Sequence, residues 1–235
     1  MKISVCMATY NGEKFLKEQL DSILKQISPD DEVIISDDGS TDKTIEIIKS
    51  YIDTRIKLYH STHKNLIYNF ENALKQASGD IIFLSDQDDI WLDHKVATAV
   101  VHLQEHPFVF SNALIFKDDV FNTTELFFKN TKNKTGIVSN LVKVKYLGCT
   151  LAFKAELLEK ALPFPLNIPM HDVWLGLIAE ATASTYFIEK PLIYYRKHEN
   201  NVSNSGGKSE YSLLKKIQFR VNLLYSLCKR LWFSN

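Results

Sequence analysis

The chain lacks any uninterrupted apolar run of about 18 residues, so no segment is expected to cross a bilayer as a helix. Its Met-Lys-Ile-Ser-Val start leads into no apolar stretch of leader length, which gives the expectation of a cytoplasmic chain. Cysteine is scarce: Cys6, Cys149 and Cys228 are odd in number, far apart and without metal-ligand spacing. That argues against a disulfide framework and suits a reducing compartment. There is no surplus of either charge, with 28 Lys+Arg against 28 Asp+Glu, and nucleic acid is not among the expected partners. Low-complexity linkers and internal repeats are missing too. With 235 residues, 45% of them hydrophobic, the chain is long enough to bury one substantial core.

What is present begins as an alternation of strands and helices. Residues 2–8, 32–36 and 80–85 are short, nearly continuous apolar runs rich in Ile and Val, as expected of strands buried on both faces. Between the first two, Phe15, Leu16, Leu20, Ile23, Leu24 and Ile27 recur at three- and four-residue spacings and predict an amphipathic helix. Ser40 or Thr41 is positioned to cap the next helix. Further helices are expected over 66–77 and 93–106, giving an α/β fold with a mainly parallel sheet. Beyond Pro107 the order loosens. Strands are expected at 108–116, 148–154, 184–188 and 192–196, and helices at 155–161, 172–181 and 210–232. Polar residues 117–136 and proline-punctuated residues 163–169 are expected loops.

The chemistry gathers at strand ends. The three clearest strands run into Thr9-Tyr10-Asn11-Gly12-Glu13, Asp37-Asp38-Gly39-Ser40 and Asp86-Gln87-Asp88-Asp89. In an open parallel sheet the ligand crevice lies beyond the carboxyl ends of the strands, so these clusters are expected to converge. Asn-Gly and Asp-Gly also serve as plain turn chemistry. That explains Asn11-Gly12 well but not so many carboxylates at one rim. Crowded carboxylates raise one another's pKa unless a cation sits among them. An oxygen-rich Asp-x-Asp suits Mg²⁺ or Mn²⁺ shared with substrate phosphates. The same segment permits a rival, the Asp nucleophile of a haloacid-dehalogenase-type phosphatase. In those enzymes the motif sits on the first strand and a second acidic pair follows, and neither holds here.

Taken together, the segments 4–13, 35–42 and 83–91 resemble family 2 glycosyltransferases of the GT-A fold, closest to the rhamnosyltransferase-like branch. The similarity continues through Gly148-Cys149-Thr150, His171-Asp172-Val173-Trp174 and Tyr195-Arg196-Lys197-His198. It implies a GT-A domain over 1–208, with a nucleotide-binding half at about 1–110 and an acceptor-binding half at about 111–208, then a C-terminal amphipathic helix at 209–235. It also implies roles. Thr9, Asn11 and Glu13 lie on the loop at the nucleoside; Asp37, with neighbouring Asp38, matches the acid that accepts the pyrimidine N3–H; Asn69 faces the nucleotide. Asp86 and Gln87 stand at the nucleotide-sugar, Asp88 and His198 hold the metal, and Asp172 is the base that activates the acceptor, or a helix cap, or both. Asn65 stands where Gly is common, which predicts a left-handed backbone there.

The resemblance therefore implies an inverting, metal-dependent enzyme. It moves a sugar from dTDP-rhamnose or a UDP-hexose to a glycan acceptor, lipid-linked in many members, in surface polysaccharide synthesis. A catalytically silent nucleotide- or glycan-binding protein on the same scaffold is the alternative. The Gln-x-x-Arg-Trp element of processive synthases is missing, which implies single additions. Residues 117–136 and 200–207 are candidate lids. The basic C-terminal helix is expected to pack on the domain or a second subunit, or to contact the inner face of the cell membrane.

Overall fold

The computed structural model describes residues 1–117, 121, 123–129, 135–142, 146–199 and 212–233. Its centre is an eight-stranded sheet in the order β3-β2-β1-β4-β7-β6-β8-β5. Four strands form a parallel half: β1 (Ile3–Thr9), β2 (Glu32–Asp37), β3 (Ile56–His60) and β4 (Ile81–Ser85). Every residue of β1, β2 and β4 is buried, in keeping with their largely apolar sequence and with helices covering both faces. These helices are α1 (Leu16–Leu24), α2 (Thr44–Ser50) and α3 (Leu66–Lys75). Helix α1 turns Leu16, Leu20 and Ile23 inward, the stripe its spacing predicts.

The second half is mixed. Strand β7 (Leu151–Lys154) enters antiparallel between β4 and β6 (Phe108–Phe116), and β6 pairs in parallel with β8 (Thr185–Arg196). A two-residue strand, β5 (Ile90–Trp91), pairs antiparallel with β8. Helices α4 (Lys95–Leu103), α5 (Ile137–Val142), α6 (Leu157–Ala161), α7 (His171–Thr182) and α8 (Leu213–Phe233) complete the chain. These reversals matter for chemistry. Because β7 runs against β4, with Phe83 opposite Ala152, the turn before β7 lands at the carboxyl end of β4. Because β5 runs against β8, with Ile90 opposite Tyr194, the end of β8 comes alongside residues 86–89.

Several local expectations change. Residues 184–196 form one strand rather than two, with Pro191 accommodated where the β6–β8 register is irregular. Residues 148–150 are a 3-10 turn, and the strand starts only at Leu151. Half-exposed β3 was not expected, since five alternating residues give little apolar signal. Neither Ser40 nor Thr41 caps α2. Asp42 does the equivalent work, accepting from the Thr44 N–H at 3.0 Å and the Thr44 hydroxyl at 2.5 Å. Asn65 is extended, at φ −152°, and caps α3 through its side chain; the left-handed residue is Lys64, at φ 47°. Of residues 117–136, the stretch 125–128 lies along β6, Phe128 is buried, and the Phe128 N–H donates to Asn112 Oδ1 at 3.0 Å. The other lid candidate, 200–207, lies outside the described residues.

Candidate active site

The carboxyl ends of β1, β2 and β4 form one rim: Thr9 pairs with Asp37, and Met7 with Ser85. The loops leaving β1 and β2 are sewn together. Asp37 is buried, and its two oxygens accept from the Thr9 hydroxyl (2.8 Å), the Ser40 hydroxyl (2.6 Å) and the Gly39 and Ser40 N–H groups (3.1 and 2.8 Å). A carboxylate offers about four lone-pair sites, so this one is fully used. Asp38 likewise accepts from the N–H groups of Lys64 (3.0 Å) and Asn65 (2.7 Å). Exposed Asn11, at φ 47°, accepts from the Thr41 N–H at 2.8 Å, and Glu13 from the Lys43 N–H at 2.9 Å. Gln87 grips the Tyr10 backbone at both ends, accepting from its N–H at 2.9 Å and donating to its carbonyl at 3.0 Å. A Cβ on Gly12 would collide with the Gln87 side-chain amide, so glycine there lets Gln87 keep its place on the Tyr10 backbone. Asn69 donates to the Thr9 carbonyl at 3.1 Å and leaves its own Oδ1 buried without a protein partner.

The acids after β4 are in a different condition. Burial first, then the charges of Asp89, Asp88 and Asp172, hold the Asp86 carboxyl well above its ordinary range. Burial and Asp88 push Asp89 up to about 7; its Oδ1 accepts the Arg196 N–H at 3.0 Å, while Oδ2 has no hydrogen-bond partner. Asp88 Oδ2 lies 2.8 Å from His198 Nε2. The Cys149 sulfur lies beside Asp86 and Asp89, one ligand atom from each falling within 4.8 Å of the others. Burial and these two acids push its thiol up, so thiolate is disfavoured there, and a soft sulfur is a poor partner for a hard cation. The available donors are therefore three crowded carboxylates and an imidazole. They fit a hard divalent cation such as Mg²⁺ or Mn²⁺, whose charge removes the mutual repulsion.

Asp172 sits in the first turn of α7, buried against the turn Gly148–Thr150. It does not cap the helix in the usual sense, since Met170 occupies the cap position; Asp172 Oδ1 accepts from the Val173 N–H at 2.7 Å. Burial raises it to about 6, although backbone donors including Gly148 pull the other way. Asp86 and Asp172 flank the same turn: the Cys149 sulfur lies beside Asp86, a Cβ on Gly148 would come 3.7 Å from the Asp172 Cβ, and Asp86 feels the Asp172 charge. His171 stacks on Phe70 with centroids 4.0 Å apart, both ring nitrogens lacking protein partners, and burial lowers it to about 3. A Cβ on Gly148 would come within 3.0 Å of His171 Nε2, which keeps that turn glycine.

Sequence reasoning overlooked two cations here. Lys95 is buried, donates to the Cys149 carbonyl at 2.8 Å and lies 4.7 Å from the Trp91 ring; burial lowers it to about 8. Arg196 donates to the Asp88 carbonyl at 2.9 Å, between Phe15 and Phe116 at 4.4 and 4.5 Å. Arg196 followed by His198 near the acids was the available signal; a lone Lys on an amphipathic helix gives none.

The family model described as "Glycosyl transferase family 2" matches residues 4–161. A dTDP-rhamnosyl transferase, RfbG of Shigella flexneri, is 32% identical over 232 residues, covering 88% of this chain and 78% of that protein. The crystal structure of Staphylococcus aureus TarS 1-349 with UDP-GlcNAc superposes with a TM-score of 0.70 at 22% identity, over 100% of this chain and 74% of that one. A Pyrobaculum calidifontis mannosyltransferase in complex with GDP-Man and Mn²⁺ gives 0.65 at 22% identity, over 97% and 64%.

Proposed function

The chain belongs to glycosyl transferase family 2, enzymes that move a sugar from a nucleotide-sugar, and from that premise we propose an inverting, divalent-metal-dependent, non-processive transfer to a glycan hydroxyl. The observation that carries this reading is that the acids after β4 and Asp172 of α7 gather at the Gly148–Thr150 turn, Asp86 beside Cys149 and Asp172 against Gly148. dTDP-rhamnose or a UDP-hexose is the proposed donor, and a lipid-linked glycan of a bacterial-type surface polysaccharide the proposed acceptor, met at the inner face of the cell membrane. The first 110 residues or so would hold the nucleotide and the following 100 the acceptor.

In this reading Thr9, Asn11, Glu13, Asp38 and Asn69 shape the nucleoside pocket, with the Asn69 Oδ1 available to a donor. Asp37 reaches a pyrimidine N3–H only by exchanging one of its present bonds from Ser40. Asp86 and Gln87 flank the ribose and sugar. Asp88 and His198 would hold Mg²⁺ or Mn²⁺, which when bound supplies Lewis-acid stabilisation for the departing diphosphate. Asp172 accepts the acceptor hydroxyl's proton as that oxygen attacks the anomeric carbon from the face opposite the diphosphate, so configuration inverts. Such general-base help is worth about 10²–10⁴-fold. A carboxyl titrating near 6 is ionised at neutral pH yet more basic than an ordinary one. Buried His171 remains neutral beside it and does not compete for the proton.

Thermal melting of the full chain against a panel of nucleotide-sugars, with and without Mn²⁺, tests the reading. A true donor at about 100 times its Kd adds about 2.7 kcal/mol of stability, and Asp88→Ala should abolish the Mn²⁺-dependent part. A panel without any shift would remove the donor reading; transfer unaffected by chelator would remove the metal.

A further inference from the structure

Helix α8 is attached to the domain along one side, where Arg220 donates to the Leu141 carbonyl at 2.6 Å. Leu223 and Leu227 are buried, and Arg230 donates to the carbonyls of Lys160 and Leu162 (both 2.8 Å) and Pro163. At 100° per residue these three positions share one side of the helix. The opposite side is apolar and outward: Leu214, Ile217, Val221, Leu224, Tyr225 and Trp232 are all exposed, Leu214 and Trp232 at 80%. The stripe that sequence periodicity left open to packing or to a membrane surface thus largely faces away from the domain. Next to it, across a groove of about 580 Å³ lined by Pro165, Leu166, Tyr225 and Lys229, Leu166 is 83% exposed. Soluble surfaces seldom carry so continuous an apolar band.

Charge decides between occupants. Helix α8 has no Asp or Glu; of its cations, exposed Lys215 and Lys229 border the outward face, while Lys216, Arg220 and Arg230 lie on the domain side. Two copies meeting through this face would set cation against cation with no acid on either helix to answer them. An anionic surface attracts the same residues, and Trp and Tyr beside an apolar stripe suit the boundary between headgroups and acyl chains. We propose that the outward face of α8, continued by Leu166, docks the protein onto an anionic lipid bilayer, with the helix lying in the plane of the surface. The loop bearing Leu166 runs directly into the first turn of α7, which carries Asp172. The docking stands on the surface alone; only its value for reaching a lipid-linked acceptor rests on the proposed function.

The test is co-sedimentation of the full chain with vesicles of pure phosphatidylcholine and of phosphatidylcholine containing about 30 mol% phosphatidylglycerol. Binding should favour the anionic vesicles by about tenfold or more and weaken in about 0.5 M NaCl. The double variant Val221→Glu/Trp232→Glu changes only exposed side chains and should lose that binding while its melting temperature and donor-induced shift remain. Lys215→Glu/Lys229→Glu should lose the anionic preference. Undiminished binding by the first variant would overturn the proposal. So would a wild-type chain that ignores anionic vesicles, whether it elutes as a monomer or as a dimer that Val221→Glu splits. Since no donor or acceptor enters the assay, its failure is distinct from failure of the transferase reading.

Discussion

Asp37 and Asp86 stand at the ends of the two strands that flank β1, yet their surroundings differ in kind. Four donors from Thr9, Gly39 and Ser40 saturate Asp37. Asp86 sits among Asp88, Asp89 and Asp172 and is pushed away from ionisation. A carboxylate whose lone pairs are all used maintains a loop, whereas carboxylates that repel one another have a use for a cation or a proton. The β2 side of the rim is therefore internally satisfied, and the β4–α7 side holds the uncompensated charge.

The largest test of that contrast is Asp172→Asn. Turnover should fall about 10²–10⁴-fold with donor affinity nearly unchanged. In the unmodified enzyme kcat/KM should fall about tenfold per pH unit below about 6, the range to which burial moves Asp172, and the variant should lose that limb. Near-normal turnover in steady-state assays would dissolve the contrast from the catalytic side.

Asp37→Ala should do the reverse. It orphans the donors of Thr9, Gly39 and Ser40, so a loss of about 3 kcal/mol is expected in urea unfolding; an unchanged midpoint would mean the β2 loop needs no such anchor. Lys95→Met should cost less, about 1–3 kcal/mol, by leaving the buried Cys149 carbonyl without its donor. The smallest effect concerns stability at Asp172 itself. Its folded pKa lies above the unfolded value, so ionisation disfavours the fold, and the penalty grows as pH rises from about 4 to about 6. Asp172→Asn should accordingly melt higher than wild type at about pH 8 by up to a few degrees, with the gain vanishing at about pH 4. A gain equal at both pH values would assign the effect to packing.

Much of the parallel half was legible because each buried strand announces itself locally. Residues 2–8, 32–36 and 80–85 are mostly apolar and rich in Ile and Val, and polar residues follow each one. The second half was harder. Pro191 interrupts β8 in sequence but not in space, and β5 has only two residues. The Asn65 expectation failed because capping and a left-handed backbone both favour Asn, and sequence alone does not separate them. The candidate site residues were nameable from their order; which of them hold spare charge was not.

Sequence by itself determined the three strand-end clusters and their common rim, since strand identity and direction follow from short-range apolar pattern and connection length. Only tertiary structure decided that His198 reaches Asp88, that Asp86 and Asp172 flank one turn, and that α8 turns its apolar stripe outward. Each depends on pairing, burial or rotation set by residues distant in the chain, and desolvation and charge repulsion exist only once those residues meet.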